Sequence, residues 1–503
     1  MSDPFYITTA ISYPNGPPHI GHAYEAIAAD AIARFQRQQG RDVRLQTGTD
    51  EHGLKMAQAA RDEGIAPRAL ADKMSRLFQD MCDTLNVSYD RFIRTSQPDH
   101  YRASQAIWKA MQENGDLYLD RYEGWYSVRD EAYYDDEELS VADDGVKLSP
   151  HGTPVEWTVE ESWFFRLSAY QQPLLDLYAA NPEFIRPESR RNEVVRFVES
   201  GLKDLSISRT SFDWGVPVAG SDNHVMYVWL DALTNYITGL GYPDDTELWR
   251  RYWPADVHLI GKDVVRFHAV YWPAFLMSAG IALPKQVYGH GFLLSRGEKM
   301  SKSVGNVVDP MVLAQRFGVD ALRYFLLREV TFGQDGSYSA EAIVNRANAE
   351  LANSFGNLAQ RTLSMIYKNL DGVLPAAGET PEDVELLTLV RNATNKEMVE
   401  AFDRFAFSVG IEAWLRAVFA CNAYVDAQAP WALKKSDPQR MAAVLGTLVA
   451  AVRELARAIV PIIPSSADKL LALIDAGQAG SPIPQPTPLF PRLELPEEEE
   501  AAA

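Results

Sequence analysis

The sequence predicts an α/β protein: a parallel-sheet domain split by a small β-rich insert and followed by an α-helical region. Three observations predict it. An apolar run, a long helical repeat and a second apolar run succeed one another between Phe5 and Leu45. The same alternation resumes after about residue 209. Between the two stretches lie short aromatic runs separated by acidic turns. Strands alternating with helices favour a parallel sheet, and ligands of such sheets sit at the strands' carboxyl ends.

Phe5–Ile11 has the length of a buried strand. From His22 to Gln39, Tyr24, Ile27, Ala28, Ala31, Ile32 and Phe35 recur at helical spacing. Arg41–Leu45 reads as a second strand, ending in the turn "TGTDEHG"; helical patterns follow at Pro67–Asn86 and His100–Asn114. From Tyr118 to about Ser208, "GWYSV", "VEWTV" and "SWFFRL" alternate with "YYDDEEL" and "VADDG", the pattern of an inserted small domain. Its expected core is Trp125, Tyr126, Trp157, Trp163 and Phe164. "VMYVWLDALTNYI", "VHLIGKDVVRFHAVYWPAFLMSAG" and "QVYGHGFLL" then restore the strand–helix rhythm. After "KMSKSVGN" and a helix Pro310–Phe317, the chain is helix-like to about Ile474. The expected domains are 1–117 and 209–290 (two halves of the sheet domain), 118–208 (insert), 291–340 (loop and junction), 341–480 (helical domain) and 481–503 (acidic-tailed segment).

Bulk properties exclude several classes. No run of eighteen apolar residues appears, so no membrane span is expected. The start, "MSDPFYITTA", lacks the basic and apolar regions of a secretory signal. The two cysteines, Cys82 and Cys421, then suit a reducing cytoplasm better than a disulfide framework. A net charge of −20 argues against a general DNA- or RNA-coating protein, but leaves room for a specific RNA contact through a local patch.

Two short motifs carry chemistry. In "PNGPPHIGH", Pro17 and Pro18 stiffen the entry to a helix. Gly21 allows close backbone approach, and the helix N-terminus suits phosphate. His19 and His22 are either plain turn residues or donors to phosphoryl oxygens. In "GEKMSKSVGN", Lys299 and Lys302 lie in a loop of small residues. It is either a solvated loop or a cationic loop that closes on a polyphosphate as charge develops.

Together "HIGH" and "KMSKS" resemble the two signatures of the class I aminoacyl-tRNA synthetases. The finer resemblance is to the methionyl-tRNA synthetases, through "AISYPNGPPHIGHAYE", "GTDEHG", "YVWLDALTNY", "GKDVVRFHAVYWPA", "HGFLLSRGEKMSKSVGN", "NSFGNLAQR" and "YVDAQAPW" in that order, from about residue 5 to about 475. The resemblance implies a Rossmann-type catalytic domain split by its insert, then an α-helical anticodon-binding domain. It implies ATP-dependent formation of methionyl-adenylate, with Mg²⁺ as the partner of ATP, and transfer to tRNA(Met), initiator tRNA included.

Site residues follow from the same resemblance. His19, Gly21, His22, Glu25, Gly261, Asp263 and Lys302 would meet ATP, with Lys299 beside Lys302 in the mobile loop. Asp50 and the main chain at Ile11 would hold the substrate ammonium, and Arg209 its carboxylate. Ala10, Tyr13, Trp229, Ala232, Tyr236, Val264, Phe267 and His268 would line the side-chain pocket, where a polarisable thioether suits aromatic edges. Asn357, Arg361 and Trp431 would meet the anticodon. Read alone, Asp50 and Asp263 are equally helix caps, Arg209 a surface ion pair, and Trp431 a core residue. Many relatives bind structural zinc in the insert. Tyr118–Ser208 holds no cysteine and one histidine, His151, so no zinc is expected. With no further module after the helices, a monomer is expected.

The alternatives each lack a feature. Synthetases for isoleucine, leucine or valine carry a larger editing insert, and the one for cysteine needs a zinc pocket. A non-catalytic relative would have lost one of the motifs. A tRNA-independent adenylyl transferase would not need the helical end.

Overall fold

Pro4–Thr9 forms the strand β1, and the computed structural model shows why this run is so apolar: Tyr6, Ile7 and Thr8 are wholly buried. The structure describes residues 2–130, 132–295, 298–300, 307–478 and 481–495. Its elements gather into two units. The first comprises Met1–Ala29, Gly40–Asp83 and Ser88–His290; the second comprises Asp30–Gln39, Thr84–Val87 and Gly291–Ala503.

After β1 come helix α1 (Ile20–Gln38), strand β2 (Asp42–Thr49), helices α2 (Leu54–Asp62) and α3 (Pro67–Thr84), strand β3 (Arg91–Arg94) and helix α4 (Pro98–Glu113). Among the described residues the first unit holds a six-stranded sheet in the order β3, β2, β1, Val257–Gly261, Val287–His290, Ile185–Arg186, with every pairing parallel. Strands that run outward in one direction from β1 give way, on its other side, to a strand some 250 residues later in the chain. That reversal creates the crevice at the carboxyl ends where ligands of doubly wound sheets bind.

The insert departs from expectation. Leu117–Ser127 pairs antiparallel with Glu156–Phe165, flanked by Ala132–Tyr134 and Leu205–Ser206. The β character ends near Phe165. Helices Gln171–Ala180 and Glu188–Glu199 follow, and Ile185–Arg186 belongs to the parallel sheet. The expected aromatic core is also divided. Trp157 is 52% exposed, although it meets the half-buried Trp125 edge-on across the strand pair. Phe164 stacks on Tyr118, and Trp163 packs against the main core near Trp108. The hairpin's own core is Ala132, Tyr134 and Val155, with Trp125 and Leu139 against them. Its turns are closed by a carboxylate: Asp130 accepts from Ser149 Oγ and Thr153 Oγ1 at 2.6 Å each, and from the Tyr134 hydroxyl at 3.1 Å.

The second unit is mainly helical, as expected. Pro310–Phe317 forms with the predicted bounds. Helices Pro310–Phe317, Pro381–Asn392, Pro430–Ser436, Pro438–Ile459 and Pro464–Gln478 all open on proline, whose missing N–H goes unneeded at a helix start. A buried ion pair ties its separate segments. Arg323, with no solvent exposure, donates to Asp30 Oδ2 at 2.6 Å and to the carbonyls of Leu85, Pro461 and Ile462 at 3.0–3.1 Å. Asp30 also accepts from Arg34 at 2.8 Å. Removing one partner strands a buried charge, so Arg323→Met should cost about 3–5 kcal/mol in urea unfolding. Adding Asp30→Leu should recover part of that loss.

Candidate active site

At the carboxyl end of β1 the chain parts from one of its two strand neighbours. The Ala10 amide donates to Leu259 O at 3.1 Å, on the strand Val257–Gly261. The Ser12 amide donates to Gly48 O, and Ser12 O accepts from the Asp50 amide, both at 2.9 Å. Ile11 is therefore the residue at which the chain parts from Val257–Gly261 while staying beside β2. Asp50 sits on the β2 side, 6% exposed. It does not cap α2, whose N-cap is Gly53. The loop around it is held on every side. Glu51 pairs with Arg94 at 2.7 Å, its amide donates to Thr95 Oγ1, and Trp214 Nε1 donates to its carbonyl.

The two histidines of "HIGH" build the start of α1. His19 O accepts from the amides of His22 and Ala23. His19 Nδ1 accepts from the Gly21 amide at 3.1 Å, and His22 Nδ1 accepts from the His19 amide at 3.1 Å. The rings stack at 3.8 Å. A nitrogen that accepts carries no proton, so each ring presents an Nε2–H donor. Gly21 has a further reason beside close backbone approach. A Cβ there would lie 2.9 Å from His19 Cε1, so the glycine makes room for the histidine ring.

Glu25, one turn on, gathers the other residues expected at ATP. It accepts from His290 Nε2 at 2.8 Å and from the Gly261 amide, and lies within electrostatic reach of Asp263. Burial raises its carboxyl above the usual range, Asp263 adds to this, and His290 and Gly261 pull it back. Asp263 lies in a short turn, Lys262–Val264, that has no side-chain cap. A small pocket beneath joins Glu25 and His22 to Thr9, Ser12, Thr47 and Cys82.

The expected side-chain pocket also assembles. Trp229 and Phe267 stack face to face at 3.8 Å with planes 5° apart. His268 meets Trp229 edge-on at 6.2 Å. Ala10, Tyr13, Trp229, Val264 and Phe267 all pack, half-buried, on one core that contains Tyr236. Ala232 is buried on the same helix, Val228–Thr238. Phe267 and His268 open a single π-helical turn, Phe267–Tyr271, a widening often found at functional sites. His268 Nδ1–H donates to Val264 O at 2.9 Å, so Nε2 accepts the Tyr236 hydroxyl at 2.5 Å. Burial pushes the His268 imidazole down to about 4 and that of nearby His258 well below its ordinary value. Tyr13 donates to His52 O at 2.7 Å.

Arg209 is not a surface ion pair. It is 2% exposed, its Nη1 donates to Ser206 Oγ and Ser208 O, and its guanidinium lies over Tyr133 and Tyr227 at 4.6 Å each. In the second unit, Lys299 ends the strand pair Leu293–Ser295 and Glu298–Lys299; Lys302 lies outside the described residues. Asn357 and Arg361 share a face of helix Asn357–Asn369, both at or near the surface. Arg361 lies 5.5 Å from the Trp431 ring and pairs with Asp426 at 3.3 Å. Trp431 is 53% exposed, not a core residue. Ala429, two residues before it, holds a left-handed backbone (φ 43°) that β-carbon-bearing residues seldom adopt. Among the described residues no group of three or more His, Cys, Asp or Glu side chains could hold a metal ion, and no helix is long and apolar enough to cross a membrane.

Sequence reasoning missed His290, His258 and the pair His52–Asp231. His290 was within reach, as a titratable residue ending the apolar run "QVYGH" at a strand's carboxyl end.

A family model described as tRNA synthetases class I (M) matches residues 5–363, and one described as the anticodon binding domain of methionyl tRNA ligase matches residues 374–489. The chain belongs to the class I aminoacyl-tRNA synthetases. A methionine–tRNA ligase of Brucella suis is 59% identical over 502 residues, covering 97% of this chain and 98% of the relative. One from Mycobacterium tuberculosis is 55% identical over 515 residues, covering 98% and 99%. Within the class the chain is thus a member of the methionyl-tRNA synthetase family. Among solved structures, M. tuberculosis methionyl-tRNA synthetase in complex with methionyl-adenylate superposes with a TM-score of 0.94 at 55% identity, covering 97% of this chain and 100% of that one. The apo form of that enzyme gives 0.88 at 51% identity, covering 99% of each.

The buried imidazoles make stability depend on pH. A folded value below the unfolded one gives a contribution that is complete above about pH 6.5 and is lost as pH falls towards about 4. Unfolding free energy should therefore decline across that window. His268→Gln should flatten the decline by up to about 3 kcal/mol, read by denaturant titrations at pH 7 and pH 4.5.

Proposed function

We propose that this chain joins L-methionine to tRNA(Met), initiator tRNA included, in two steps through methionyl-adenylate. A methionine carboxylate oxygen attacks the α-phosphorus of ATP and pyrophosphate leaves. The terminal ribose 2′-hydroxyl of the tRNA then attacks the adenylate carbonyl and AMP leaves. Neither step needs a nucleophilic side chain, so positioning and charge stabilisation supply the rate.

The observation that carries this reading is the pair of Nε2–H donors of His19 and His22 at the start of α1. They suit phosphoryl oxygens that gain charge as the bond to pyrophosphate breaks. Beside them, Glu25, Gly261 and Asp263 would take the adenosine. Asp50 and the main chain at Ile11 would hold the ammonium, and Arg209 the carboxylate. The Trp229–Phe267 stack, with Ala10, Tyr13, Ala232, Tyr236 and Val264, would receive the thioether, and neutral His268 orders the Tyr236 hydroxyl beside it. Lys299 and Lys302 would neutralise the polyphosphate. Mg²⁺ would arrive with ATP, and no zinc is called for. The family match and the Arg361 guanidinium beside the half-exposed Trp431 ring support tRNA recognition there; we read the protein as a cytoplasmic monomer.

Amino-acid-dependent exchange of pyrophosphate into ATP, run across the twenty amino acids, tests the first step. Methionine alone should support exchange; exchange with another amino acid and none with methionine would overturn the reading. Trp431 tests the last. A half-exposed ring stacked on a base contributes about 1–3 kcal/mol, so Trp431→Ala should lower tRNA charging about ten- to a hundredfold. Pyrophosphate exchange and melting temperature should stay at parental values; a fall in all three would mark a structural role.

A further inference from the structure

Helix Val228–Thr238 has two working faces. Trp229, Ala232 and Tyr236, at i, i+3 and i+7, face the proposed thioether pocket. Asp231, Asn235 and Thr238 form the other face, all buried. Asp231 is the charged member of that face, with no solvent exposure. Its Oδ2 accepts from His52 Nδ1 and its Oδ1 from His100 Nε2, both at 2.6 Å. His52 Nε2 lies 2.9 Å from the Tyr101 hydroxyl, and its ring is wedged edge-on by Tyr101 and Trp214. His100 Nδ1 lies 3.0 Å from Thr238 Oγ1 on the helix itself.

His52 stands two residues after Asp50, and its carbonyl accepts the Tyr13 hydroxyl, which in turn accepts from the Met56 amide at 3.2 Å. One side chain therefore ties the loop that carries the ammonium anchor to the helix that carries the thioether pocket. The far end of the helix is held separately. Gln46 on β2 donates to the carbonyl and side chain of Asn235 at 2.9 Å, and a Cβ at Gly239 would collide with it. Loss of the Asp231 contacts would loosen the ligand end of the helix and leave the rest seated.

We propose that Asp231, through His52, sets the distance between the ammonium anchor and the side-chain pocket and so gauges the length of the amino acid accepted. It touches no reacting atom; it is a positioning residue for specificity. This rests on the function proposed above.

The test is pyrophosphate exchange with methionine, with its S-ethyl homologue and with homocysteine, on the parent, Asp231→Asn, His52→Phe and His52→Asn. Asparagine at 52 keeps an N–H donor near the Nδ1 position; phenylalanine keeps only the ring. Asp231→Asn and His52→Phe should raise the methionine KM about tenfold and lower the preference for methionine over its S-ethyl homologue by a similar factor, the usual worth of one methylene. The KM for ATP should stay within about threefold, because the ATP groups sit on other elements. His52→Asn should restore much of the preference. A merely structural role would lower the melting temperature and the active fraction while leaving the substrate ratios at parental values, and unchanged ratios in either variant overturn the inference. If Asp231→Asn does not fold, His52→Phe alone decides it. A parent with no methionine-dependent exchange would instead refute the proposed function.

Discussion

The site depends on one divergence in the backbone. Up to Ala10, β1 bonds to β2 on one side and to the strand that ends in Gly261 on the other; from Ser12 onward the bonds to Gly48 and Asp50 continue on the β2 side. Two parallel strands that must part leave a cleft with main-chain groups at its floor. Much of what is proposed to touch a ligand in the first unit hangs from the ends of those strands or from the helix starts beside them; Arg209, on a separate two-stranded ribbon, and Tyr236, in the last turn of its helix, do not. "HIGH" follows β1, Asp50 follows β2, Gly261 ends and Asp263 follows the strand Val257–Gly261, and His290 ends the strand Val287–His290. The cleft arises from topology, so chemistry could be assembled there from residues far apart in sequence.

Much of this was legible because it is local. β1, α1 and Pro310–Phe317 were visible as runs or repeats whose meaning lies within a few residues. "HIGH" was legible for the same reason: its hydrogen bonds close within four residues. The pocket residues became legible only through family resemblance, since Trp229 and Tyr236 would fill any core. The rest was hidden by distance. Asp231 meets residues 179 and 131 positions away, and no spacing rule connects them. The insert misled for a related reason. Alternation identifies a strand and its faces but does not say how far along a face the core extends, and so Trp157, on the same face as the core residue Tyr134, was expected inside and is exposed. A two-residue edge strand such as Ile185–Arg186 leaves too short a trace to see.

Buried imidazoles recur through the sheet domain with different electrostatic roles. His258 and His268 are kept neutral by burial, and each uses both ring nitrogens within the core: His258 meets Thr8 Oγ1 and the Trp272 indole, His268 meets Val264 O and Tyr236. His52 and His100 instead face a carboxylate. Burial raises the Asp231 carboxyl, but the two imidazoles outweigh it and hold the group at about 2, ionised at any working pH. A neutral imidazole beside the thioether pocket adds a directional contact without a charge that a carbon–sulfur side chain could not balance. An ionised carboxylate behind the pocket locks a loop more firmly than a neutral amide could.

The glycine of "HIGH" has a consequence for which sequences this architecture tolerates. Position 21 is small because the ring of residue 19 lies over it, and the ring lies there because its nitrogen caps the amide of residue 21. Each residue is the other's reason. A methyl group at 21 would push the imidazole off its seat and out of its stack on His22, so the two positions cannot drift separately: a change at one carries the cost of the other. The motif is better regarded as a single folded object of four residues, whose letters are interlocked before any ligand arrives.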